Sequence, residues 1–98
     1  ISFDKRINII NVNNTPDSGE VTLAGFVHEL RDMAKIKFIL LRDWTGIIQC
    51  VTKDQQLFDK FSELNVEDTI KIIGLVRNAD VKSDAVLKSK EVEVKSID

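Results

Sequence analysis

One histidine, one cysteine and four glycines limit the chemistry open to this 98-residue chain. With Cys50 alone, no disulfide can form within the chain, which suits a reducing compartment. With His28 as the single histidine, the clustered His and Cys ligands of a structural zinc site are missing, so no metal is expected. The same scarcity rules out an ordinary Ser-His-Asp or Cys-His triad. No glycine-rich phosphate loop or nucleophile elbow occurs, and the carboxylates are scattered, so no catalytic residue is expected. No apolar run approaches the roughly 18 residues of a membrane span, and no membrane partner is expected. The N-terminus ISFDKRINII lacks the layout of a secretory signal. The chain starts at Ile1 and not Met, as expected of a fragment or processed piece.

Hydrophobic residues make up 43% of the chain, enough for one small globular core. Net charge is −2, which argues against tight, nonspecific nucleic-acid binding. Charge is unevenly spread, however. Between Arg31 and Lys53 lie five bases (Arg31, Lys35, Lys37, Arg42, Lys53) and two acids (Asp32, Asp43). A solvated hairpin accounts for such a short basic segment as readily as a ligand does.

Val21–Lys53 organises the rest. Residues 1–19 read as an irregular N-terminal extension with a turn cluster at 13–19, and Ile7, Ile9 and Ile10 as cover for one end of the core. Residues 20–98 read as the domain proper. Val21, Leu23, Gly25 and Val27 alternate with Thr22, Ala24 and Phe26, as in a strand. Gly25 marks a bend, needed where one strand serves both sheets of a small barrel. Ile36–Arg42 is a second strand, with Ile39 and Leu41 inward and Phe38 and Leu40 outward. An outward Phe beside an outward Leu calls for something to cover them. Asp43-Trp44-Thr45-Gly46 reads as a hairpin turn with Gly46 left-handed. In the third strand, Ile47–Val51, Ile48 and Cys50 point inward and Gln49 outward with Phe38.

Leu57, Phe58, Phe61 and Leu64 then form one helical apolar stripe. Thr52 with Gln55, or Asp54 alone, can cap it, and Asn65 is a left-handed stop. Thr69–Arg77 is a fourth strand, 78–85 a polar loop, and the last strand lies within Val86–Ile97. The fold class is therefore all-β with one helix, in the order β-β-β-α-β-β. A helix between the third and fourth of five strands is the plan of the OB-fold, a partly open Greek-key barrel. The second and third strands usually carry its ligand surface.

Five residues are candidates for that surface. Phe38 offers a base a stacking platform, unless a loop or neighbouring domain covers it. Gln49 carries a donor and an acceptor on one amide and can read a base edge, or it is a solvated strand residue. Arg31 can bridge base and backbone, or form an ion pair with Asp32 or Glu29. Arg77 can meet phosphate or base. Glu93 can accept from the N–H groups of guanine, or serve as a surface charge. Trp44, at a hairpin tip, has no assigned role, and a structural role is expected for His28.

The run VTLAGFVHELRDMAKIKFILLRDWTGIIQC resembles the N-terminal anticodon-binding domain of aspartyl-tRNA synthetases of the archaeal and eukaryotic type. The family pattern G-W-V-H-E-x-R-D, K-F-x-x-L-R-D, G-x-x-Q appears as Gly25–Asp32, Lys37–Asp43 and Gly46–Gln49. The similarity spans residues 20–95 and is diffuse beyond Gln49. Phe26 replaces the usual Trp. The resemblance implies that Phe38 stacks on the central anticodon uridine, that Arg31 and Gln49 bond to anticodon bases, and that Glu93 reads the first base. It also implies that His28 relaxes reading of the third base, extending the partner from tRNA(Asp) to tRNA(Asn). The implied parent is a cytoplasmic, homodimeric class II ligase using ATP and Mg²⁺. This domain would hold no cofactor itself and would be monomeric alone. The alternatives are an asparaginyl-tRNA synthetase domain, a stand-alone OB-fold binding single-stranded nucleic acid, and a protein-interaction domain using Trp44 and Leu40.

Overall fold

A computed structural model describes residues 6–82, 85 and 87–98. Its elements are β1 (Glu20–Asp32), β2 (Lys37–Asp43), β3 (Gly46–Thr52), the short helix α1 (Phe58–Ser62), β4 (Thr69–Asn78) and β5 (Lys90–Ile97). The strands close into a barrel in the order β1-β2-β3-β5-β4, with β4 returning to β1. All pairings are antiparallel except β3 with β5, which meet in parallel through Cys50–Val92 and Val51–Glu93. This is the five-stranded OB-fold barrel expected from the strand order.

Alternation places the core as expected in β2 and β3. Ile39, Leu41, Ile48 and Cys50 are fully buried, with Val21, Leu23 and Val27 from β1, Ile70, Ile72 and Val76 from β4, and Val92, Val94 and Ile97 from β5. Ile9 and Val12, on a 3-10 helix over Ile9–Asn14, enter the same core. Ile7 packs partly against it, whereas Ile10 is exposed. Residues 1–5 of the N-terminal extension lie outside the described residues.

β1 is the hinge of the barrel. Glu20–Phe26 pairs with β4 and Phe26–Asp32 with β2. At the changeover, the backbone of β2 comes so close that a Cβ on Gly25 would sit 2.3 Å from the Arg42 carbonyl oxygen. A β-bulge follows, in which Val27 pairs with Leu41 and Glu29 with Leu40, leaving His28 as the extra residue. The Val27 N–H donates to the Asp68 carbonyl at 2.8 Å, and the Val27 carbonyl accepts from the Glu67 N–H at 2.7 Å.

Leu40 faces outward as expected, and the cover it calls for is there: Val81 and Ala85 leave it 1% exposed, with Ala79 and Ile47 alongside. Several other local expectations are corrected. The segment read as a polar loop thus contains a small apolar lid, held by N–H donation from Ala79 to the Ser89 carbonyl and from Val81 to the Lys88 carbonyl. Ser83, Asp84 and Val86 lie outside the described residues, and β5 begins at Lys90.

The β2–β3 turn is not built on a left-handed glycine, since no glycine has positive φ among the described residues. The Asp43 carboxylate holds it instead, accepting from the Thr45 and Gly46 N–H groups at 2.7 and 3.2 Å. Its second oxygen accepts from the Ile9 N–H at 2.9 Å and ties the N-terminal 3-10 helix to the hairpin. The helical segment is also shorter than its apolar stripe: Gln55–Leu57 is a 3-10 turn and α1 has five residues. Asp54 is the cap, accepting from the Gln56 N–H, while the buried Thr52 hydroxyl has no partner. The left-handed residue beyond the helix is Glu67 (φ 73°), not Asn65.

Substituting Gly25 with Ala forces a side-chain atom against the Arg42 carbonyl. We expect Gly25→Ala to cost about 1–3 kcal/mol, read as a lower urea midpoint at unchanged m-value.

Candidate nucleic-acid interface

The bulge at His28 decides what β1 shows to solvent. Up to Val27, odd-numbered residues of β1 face the core. After the bulge the parity reverses, so Leu30 packs against the core and Arg31 faces out, opposite Phe38 on β2. Phe38 in turn pairs with Val51 on β3, and Val51 with Glu93 on β5. Cross-strand partners share a face. Arg31, Phe38, Val51 and Glu93 therefore form one row across four strands. At roughly 4.8 Å per strand, Glu93 lies on the order of 10 Å from Phe38. Gln49 projects from the same face, two residues before Val51.

Arg31, Phe38 and Gln49 line a groove of about 250 Å³ together with Met33, Asp80 and Lys82. Phe38 and Gln49 are half-buried, so each keeps part of its side chain accessible. Arg31 forms an ion pair with Glu29, and its side chain is half exposed at the groove wall. Gln49 is held from the other side, its Nε2 donating to Glu91 Oε1 at 2.9 Å. Met33, Asp80, Lys82 and Glu91 were not singled out from the sequence. Met33 sits in the β1–β2 turn and the two charged residues in the segment before β5, where no periodicity marks a facing side chain.

The remaining candidates lie outside this lining. Arg77 Nε donates to Glu93 Oε1 at 3.0 Å, and Arg77 Nη1 to the Ser18 hydroxyl at 2.7 Å. Lys95 donates to the other Glu93 oxygen at 3.2 Å. The two residues considered separately for phosphate and guanine are thus one ion pair. Hydrogen bonds from Arg77 and then Lys95 hold the Glu93 carboxyl below the usual glutamate range, against a smaller opposing effect of burial. His28 lies on the bulge, with Nδ1 3.2 Å from Arg42 Nη1. Arg42 also grips Glu67 with both terminal nitrogens and lies over the exposed ring of Phe26.

Below the groove, Lys37 is nearly buried. Its ammonium meets Asp32 and the Ala34 carbonyl and lies 4.6 Å from the Phe58 ring centre. It therefore fastens α1 to the barrel rather than serving a ligand. Burial pushes the Cys50 thiol up, so it stays protonated and unreactive near neutral pH. Among the described residues, no group of three His, Cys, Asp or Glu side chains is placed to hold a metal ion.

A half-buried ring, an amide and a guanidinium around an open groove are groups able to stack on and hydrogen-bond to an unstacked base. Residues 21–98 match the tRNA anti-codon family, described as an OB-fold nucleic acid binding domain. The chain belongs to that family. Aspartate–tRNA(Asp/Asn) ligase of Methanopyrus kandleri is 46% identical over 65 residues, which are 62% of this chain and 15% of that protein. Asparaginyl-tRNA synthetase from Pyrococcus horikoshii, solved with asparaginyl-adenylate, superposes with a TM-score of 0.82 at 26% identity. That match covers 98% of this chain and 22% of the synthetase. OBody AM3L09, solved bound to hen egg-white lysozyme, superposes with a TM-score of 0.82 at 25% identity, covering 98% of this chain and 94% of its own. The chain thus spans only a small part of the ligases it resembles.

The Glu93 shift carries a sign for stability. A carboxyl depressed on folding contributes stability that is present above its ordinary value of 4.5 and lost as pH falls through the folded value. Melting temperature should therefore fall between about pH 5 and pH 3. Arg77→Met should make that fall shallower, as read by thermal melts across the pH series.

Proposed function

We propose that this domain binds the unstacked anticodon bases of an aspartate tRNA for a longer aspartate–tRNA ligase. The observation that carries this reading is the groove that brings Arg31, Phe38 and Gln49 together on the β2–β3 face. Phe38 is the stacking platform, Gln49 and Arg31 read the base edge, and Glu93, two strands along the same row, reads a neighbouring guanine once Arg77 yields to it. Arg77 then meets the backbone. The ligase that carries the domain acts in the cytoplasm as a homodimer and joins aspartate to tRNA with ATP and Mg²⁺, on residues outside this chain. The relative named as an aspartate–tRNA(Asp/Asn) ligase supports the ligase part of that reading.

Reading of asparagine tRNA as well is supported by the relative named for both tRNAs. His28, tied to Arg42 beside the bulge, is the residue through which a relaxed third position would act.

A titration of anticodon stem-loops bearing GUC, GUU and a scrambled triplet tests the reading. We expect a preference for GUC over the scrambled loop, and near-equal affinity for GUU if the third base is read loosely. Phe38→Ala should cost about 1–3 kcal/mol, roughly five- to 150-fold in affinity. Equal affinity for all three loops would mark a nonspecific single-strand binder. No binding at any salt would leave protein interaction through the exposed Trp44 as the surviving alternative, Leu40 being covered.

A further inference from the structure

The Gln49 amide is not free to choose which end it shows a ligand. Its Nε2 donates to Glu91 Oε1 at 2.9 Å. An ionised carboxylate only accepts hydrogen bonds, so the NH₂ end of the amide must be the one that meets it. Gln49 and Glu91 sit on β3 and β5, one step before the parallel pair Cys50–Val92, and both face outward. The nitrogen and oxygen of an amide diverge from their shared carbon. With Nε2 committed to the β5 side, Oε1 is the end left for the groove on the β2 side, where Phe38 lies.

We infer that Glu91 is a positioning residue that sets the polarity of base reading at Gln49. The structure assigns it the task of presenting Oε1, an acceptor, to whatever stacks on Phe38. The ligand it selects is a base whose edge offers an N–H donor there, such as the N3–H of an unpaired uridine. A base lacking that hydrogen leaves a desolvated acceptor without a partner, which is penalised more heavily than a missing contact in water. This inference rests on the anticodon reading above and adds to it a residue outside the groove lining.

The test compares a GUC stem-loop with the same loop methylated at N3 of the central uridine, which removes the donor and keeps the ring. The intact chain should prefer the unmethylated loop about fivefold or more. In Glu91→Gln the partner can both donate and accept, so the Gln49 amide can turn over. The preference should then shrink towards unity while the fold, checked by thermal melting, persists. The exchange Gln49→Glu with Glu91→Gln should restore the preference. The amide now on β5 would then donate to the carboxylate now on β3, whose second oxygen again presents an acceptor. An unchanged ratio in Glu91→Gln, with Phe38→Ala still weakening binding, overturns this assignment alone. Equal loss of affinity for both loops in the single variant, with no recovery in the exchange, reduces Glu91 to a structural residue and also overturns it. If the intact chain binds neither loop, the anticodon reading fails and this inference with it.

Discussion

One extra residue in β1 governs what this barrel can bind. A strand shared between two neighbours has to bend, and Gly25 permits the close approach of β2 where the bend occurs. The bulge at His28 then reverses the face of every later side chain. Had β1 continued in phase from Val27, Glu29 and Arg31 would point at the core and Leu30 at solvent. Burying those charges without partners would be prohibitive, so a uniform strand of this sequence is not stable here. The reversal sends Leu30 inward and brings Arg31 level with Phe38. Backbone groups of Val27 beside the bulge are met by Glu67 and Asp68, which explains the left-handed backbone at Glu67. The end of the helix connection and the phase of the binding face are therefore a single construction.

The second control on the groove is its partial lid. A strand pair presenting Phe38, Leu40 and Ile47 outward would be an apolar patch prone to association. Val81 and Ala85 cover Leu40 and leave Phe38 beyond their edge. The lid thus sorts two side chains of one strand face into different roles: Leu40 joins a small second core, and Phe38 stays partly open beside Gln49. Asp80 and Lys82, flanking Val81, reach the groove because the lid holds them there.

Much of this was legible in the sequence, for identifiable reasons. Period-two alternation in β2 and β3 is a local property, and it placed Ile39, Leu41, Ile48 and Cys50 inside and Phe38 with Gln49 outside. The mid-strand glycine announced the bend. What remained hidden depended on contacts distant in sequence. The burial of Leu40 by residues about forty positions later follows from barrel closure, which no local pattern encodes. The Asp43 side chain takes the part expected of a left-handed Gly46, because a carboxylate at a turn can bond the backbone two and three residues on. Asn65 lost its expected role because Glu67 must bond to Val27. The Arg77–Glu93 pair joins separate strands and becomes visible only when β4 and β5 are aligned.

Electrostatics then indicates what kind of reader the domain is. Arg31 is paired with Glu29, Arg42 with Glu67 and Arg77 with Glu93. An exposed pair of this kind is worth about 0–1 kcal/mol. A phosphate can therefore replace the carboxylate at little cost, but also with little net gain. In a chain of net charge −2, counterion release cannot supply most of the affinity for a strand. On the proposed reading, binding energy must come from the stacking surface of Phe38 and from hydrogen bonds whose direction is fixed in advance. Those terms depend on which base is present, whereas phosphate contacts do not. A surface that pairs its cations internally and holds its amide by a carboxylate gives up grip on nucleic acid in general and keeps discrimination among bases. On the same proposed reading, that division of labour suits a small module whose larger ligase supplies the remaining hold on the tRNA.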